Sequence, residues 1–226
     1  MKILLVLILS SHVFAVQNAS KLSPDAKEAM IADIAGGRSL LEAGKTGDSA
    51  FIAPLRSYLA SRSADSFSRR QAVMALARLG DQRAQQQIVC VFYGDDKIAM
   101  QDTAETYLPY IDGWFAIRLY GYLLSPEADK RFLKAKKPES SDMTYVSPIV
   151  WALMQLPQVA PNPPLAPFDP GAGNPKRDPQ QEGKVWLNWI QEHQTSLQQL
   201  APTGEGVDYS GKACKHFKPY PHSKRE

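Results

Sequence analysis

The sequence predicts an all-α protein: a short helical solenoid, then an extended proline-rich arm, then a final amphipathic helix. Three observations carry this prediction. Apolar residues between 24 and 156 recur at i, i+4 and i+7 rather than alternately. A helical unit returns after 32 to 33 residues. Residues 157–179 hold eight prolines in 23 positions, a composition that stays extended.

The first residues read as an export signal. Lys2 gives a positive start, Ile3 to Leu9 form an unbroken apolar run, and Val13-Phe14-Ala15 ends in the small-residue pattern of a cleavage site. Seven apolar residues are far short of the roughly 20 that a membrane-spanning helix requires. No cysteine follows the run to carry a lipid anchor. Residues 1–15 are therefore expected to be removed after Ala15, leaving a periplasmic or secreted chain with no integral membrane segment. Asn18-Ala19-Ser20 is a glycosylation sequon, relevant only in a eukaryotic secretory pathway. The full chain carries a net charge of +3, falling to +2 without Lys2, too balanced to imply nucleic acid as a partner.

Residues 16–156 form the expected repeat domain. Ser23-Pro24-Asp25 is a helix start and Gly36-Gly37 its stop. Further helices are predicted near 38–44, 48–61, 67–79, 82–93, 97–110, 113–124, 126–136 and from Pro148 onward. The segment 113–124 is apolar nearly all round, so it is expected to be the most buried. Gly47-Asp48 and Gly80-Asp81 open helical patterns 33 residues apart. Ala72, Leu76 and Leu79 share one helical face, and a shift of 32 places Ala104, Leu108 and Ile111 in the same roles.

The run Arg69-Arg70-Gln71-Ala72-Val73-Met74-Ala75-Leu76-Ala77-Arg78-Leu79-Gly80-Asp81-Gln82-Arg83-Ala84 resembles HEAT and related helical repeats over roughly residues 25–135. That resemblance implies a short HEAT-like α-solenoid whose second helices line a binding face. The face of helix 67–79 opposite Ala72, Leu76 and Leu79 is then expected to meet solvent. It would present Arg70, Met74 and Arg78, with Gln101 and Glu105 on the corresponding helix of the next unit, as a protein-binding surface. After the arm, 157–179, the helix of 180–203 carries Trp186, Trp189, Ile190, His193, Leu197 and Leu200 on one stripe. It is expected to fold back and cap an open solenoid end. The tail, 204–226, is basic and expected to be solvated and mobile.

Catalytic and ligand motifs do not emerge. Gly44-Lys45-Thr46 invites a phosphate-loop reading, but Ser39 stands where the first glycine is required and no strand leads in. Cys214, His216, His222 and His193 lack the paired spacing of a zinc site, and His193 reads as a core histidine. The nucleophile elbow of serine hydrolases is missing. Cys90 and Cys214, the only cysteines, either pair as a disulfide or leave Cys90 as a small core residue. Pro164-Leu165-Ala166-Pro167 is read as a spacer rather than a polyproline ligand. The expected function is an exported protein-binding scaffold without a cofactor. The rivals are an inhibitor or immunity-type protein of an exported enzyme, and a small hydrolase with a site between solenoid and C-terminal arm.

Overall fold

A computed structural model describes residues 22–61, 65–135, 146–169 and 177–220. The proposed signal segment and its cleavage point at Ala15 lie outside the described residues, as do His222, Lys224 and Arg225. The described chain is all-α: eleven α-helices pack against one another, with no β-strand among them. None is long and apolar enough to cross a membrane.

Local side-chain caps set most of the helix starts. Ser23 accepts from the Ala26 N–H ahead of α1 (Pro24–Ala35). After the short α2 (Leu40–Lys45), Asp48 caps a 3₁₀ turn, Ser49–Phe51, that leads into α3 (Ile52–Ala60). Asp65 caps α4 (Ser66–Arg78), Asp81 caps α5 (Gln82–Val91) and Asp96 caps α6 (Lys97–Thr106). Each of these carboxylates takes a first-turn N–H that the helix itself leaves without a partner. α6 stops four residues before the predicted end because Pro109 disfavours helical backbone at Leu108.

α7 (Gly113–Leu123) is the buried centre, as its composition predicts: Trp114, Phe115, Ala116, Ile117, Leu119, Tyr120 and Leu123 are all buried. It packs on α9 (Pro148–Val159) and α10 (Pro179–Glu192), with α8 (Pro126–Lys134) alongside. Trp186 and Trp189 of α10 are buried against this group, their rings 5.5 Å apart edge to face. The C-terminal helix thus lays its two tryptophans against α7 and α9. It breaks at His193, and α11 (Gln194–Leu197) continues it. His193 is exposed rather than in the core. It closes α10 and lies stacked on Trp189, its Nδ1 2.9 Å from the Trp189 carbonyl.

The arm begins later than predicted. α9 runs through Pro157 to Val159. A proline inside a helix leaves the carbonyl four residues back without its donor. Here that carbonyl, Leu153 O, receives the Phe168 N–H at 3.3 Å from the returning arm. Arg177 then ties the arm to α10, donating to the carbonyls of Ala166 and Pro167 and pairing with Glu182.

Candidate functional site

The helix face predicted for partner binding sits between neighbouring helices. Met74 is buried, within an unbroken buried run from Ala72 to Ala77. Gln101 is also buried: its Oε1 accepts from Val146 N–H at 3.1 Å and its amide donates to Glu105 at 2.5 Å. Of the five residues, only Glu105 is openly exposed. Arg70 is half-exposed, its Nη1 donating to both Asp102 carboxylate oxygens at 2.9 and 2.8 Å. Arg78 is 23 % exposed, donating to the Tyr110 carbonyl at 2.7 Å and pairing with Asp112 at 2.7 Å.

This corrects the one-sided reading of α4, and the reason is the alanines. A stripe read from leucines misses faces on which small residues let another helix approach closely. α2 lies against α4 in that way. A Cβ at Gly44 would fall 2.7 Å from the Ala75 Cα and 2.7 Å from the Tyr110 hydroxyl. Gly44 in the Gly-Lys-Thr run is therefore a packing residue. Each of the two arginines reaches a partner 32 residues on: Arg70 to Asp102 and Arg78 to Tyr110.

Two other surfaces stand out. Phe67 and Ile98 are large apolar residues left 67 % and 46 % exposed. They occupy the same place, the second residue of α4 and of α6, the helices that the Arg70–Asp102 pair joins.

The second surface involves the C-terminal tail, which is an ordered strap up to Tyr220. Leu200 and Pro202 carbonyls accept the first-turn N–H groups of α7, Trp114 at 3.3 Å and Phe115 at 2.9 Å. That helix has no side-chain cap. Gly113 is required there: a Cβ would meet the Ala201 carbonyl group at 2.4 Å. The strap then follows α5. Gln82 donates to the Gly206 carbonyl at 2.5 Å. Gln86 receives the Asp208 N–H at 2.7 Å and donates to the Asp208 carbonyl at 3.1 Å. Gln87 receives the Tyr220 N–H at 2.8 Å. Cys90 and Cys214 are joined by a disulfide, with Cα atoms 5.2 Å apart.

At the far end, the Asp81 carboxylate is fully buried. Arg56 of α3 forks onto its Oδ2 at 2.7 and 2.5 Å, and the Tyr220 hydroxyl lies 3.2 Å from both oxygens. The Asp81 hydrogen bond holds Arg56 above its ordinary value, while burial first and the Asp81 charge second push the Tyr220 phenol up. Arg83 lies over the Tyr220 ring, 4.4 Å from its centre, donating to the Lys218 and Pro219 carbonyls. Arg56, Ala60, Arg83 and Tyr220 line a cleft of about 400 Å³.

The sequence reading missed the strap because its anchors are glutamine amides and main-chain groups, which carry no hydrophobic period. The possible Cys90–Cys214 pairing was the one signal pointing to it. Among the described residues, no group of three or more acidic, histidine or cysteine side chains converges as a metal site. No protein family, curated protein or solved structure matches the chain.

Proposed function

We propose that the chain is an exported protein-binding scaffold of the HEAT-like helical-repeat kind, acting through its surface and not through catalysis. The observation that carries this reading is the exposure of Phe67 and Ile98, each the second residue of its helix, on α4 and α6. Large apolar side chains held open at two helix starts suit a protein interface, whose centre is apolar and poor in charge. The 32-residue offset of the arginine ties supports the repeat reading. The disulfide supports an oxidising compartment.

The contact edge is thereby moved from the Arg70–Arg78 face to the Phe67–Ile98 end. Phe67→Asp with Ile98→Asp should melt like the native chain, since both sites are open, yet lose partners captured from the exported fraction. Undiminished capture by a normally folded double variant would refute this edge. For the export part, the mature chain should begin at Val16, and an intact mass retaining Met1 to Ala15 would overturn it.

A further inference from the structure

The cleft between α3, α5 and the strap has an unbalanced charge. Among the described residues the carboxylate that meets this cleft's side chains is Asp81, and that group is spent on Arg56, the Tyr220 hydroxyl and the Ala84 N–H. Arg83 has no carboxylate partner among the described residues. Two main-chain carbonyls and an aromatic face meet its charge instead. These contacts use its Nε and one terminal nitrogen, Nη2, so the guanidinium is held in one orientation without being neutralised. Arg56 is likewise fixed, by a two-point bond to a buried anion. Two pre-oriented guanidiniums thus share one cleft with a surplus positive charge. Its open apolar wall is Ala60, while the Tyr220 ring, buried and covered by Arg83, closes the floor.

We propose that this cleft binds a carboxylate carried on a short apolar body. With the Nε–Nη2 edge of each guanidinium already engaged, a carboxylate would meet the Nη1–Nη2 end, and such charge-assisted bonds are the strong ones. The apolar body would lie on the exposed Ala60 side chain. The site is composite: α3 supplies Arg56 and Ala60, α5 supplies Arg83, and the strap supplies Tyr220.

Phenylacetate and inorganic phosphate serve as probes for calorimetric titration of the full oxidised chain at low salt. Phenylacetate is expected to bind with a Kd of about 1 mM, as suits a small ligand in an open cleft. Phosphate, lacking the apolar body, should bind at least about 5-fold more weakly. Arg83→Gln should weaken phenylacetate by roughly 10-fold or more. Because that change also loosens the strap, Ala60→Trp provides the second arm: it fills the exposed cleft wall and leaves every strap contact in place. It should abolish binding with an unchanged melting curve. Absence of phenylacetate binding to the native chain, or full binding by the folded Ala60→Trp chain, would overturn the site. Equal binding of phosphate would overturn the assignment to an apolar carboxylate.

Discussion

Breaking the Cys90–Cys214 bond is the sharpest test of how the strap belongs to the fold. The perturbation is Cys90→Ala with Cys214→Ala, so that no thiol is left to re-pair. The bond closes a loop with a sequence separation of 124. In the chain-entropy picture such a loop contributes about 5 kcal/mol by restricting the unfolded chain. That figure applies if the whole domain unfolds together. If the strap instead peels away first, its near end stays fixed where Leu200 and Pro202 meet α7. Only a short loop is then released, equivalent to about 3 kcal/mol or less. For a chain of this length each kcal/mol moves the melting temperature by roughly 2–4 °C. The double variant should therefore melt about 6–20 °C lower than the native chain. Differential scanning calorimetry without reductant reads the shift, and hydrogen exchange tells whether protection falls across the domain or in 204–220 alone. A melting temperature within about 2 °C of native would refute the reasoning: the strap would then hold equally well without its covalent tie.

Three further outcomes follow from the same packing. Trp186→Ala should cost about 3–5 kcal/mol in urea unfolding, whereas Trp186→Phe should cost under about 1.5 kcal/mol, because the Trp186 ring N–H has no partner among the described residues. Arg78→Ala should destabilise more than Arg70→Ala. Arg78 bonds a carbonyl and Asp112 in a largely enclosed position, about 1–3 kcal/mol, while the open Arg70–Asp102 pair is worth about 1 kcal/mol or less; equal losses would contradict that ranking. The Asp208 carboxyl, held below the ordinary value first by the Ser210 hydroxyl and then by the Ala213 N–H, should titrate below the usual carboxylate range. Its folded value is the depressed one, so its contribution is complete above the unfolded value and disappears as pH falls through the folded value. The amide shifts of Ser210 and Ala213 report this midpoint, and one at or above the ordinary value would mean that these bonds do not form in solution.

What could be read in advance was what neighbouring residues decide. Ser23 and Asp81 cap helices through atoms three residues away, so a short window of sequence contains both partners. α7 was legible because its composition alone demands burial, and Trp186 and Trp189 because their stripe is apolar. Pro157 was misread because the group that tolerates it, Phe168 N–H, arrives from a segment already assigned to the arm. The solvent-facing side of α4 was misread because Ala75 and Gly44 promise nothing in composition, yet permit a close helix contact there. The strap was hidden for a third reason. Gln82, Gln86 and Gln87 look like solvent-facing residues until main-chain groups more than 120 positions away come to meet them.

That last arrangement has a consequence for how the chain is made. Asp81 is a buried anion whose surroundings are finished only by Tyr220, 139 residues later. At a synthesis rate of about 5–20 residues per second, roughly 7–28 seconds separate the appearance of the two. Until then the α5 glutamines and the cap carboxylate lack the partners that the strap supplies. The middle of the protein therefore cannot mature in the order in which it is synthesised. A chain cut before the strap would hold a set of helices whose α5 side lacks the main-chain partners that close it.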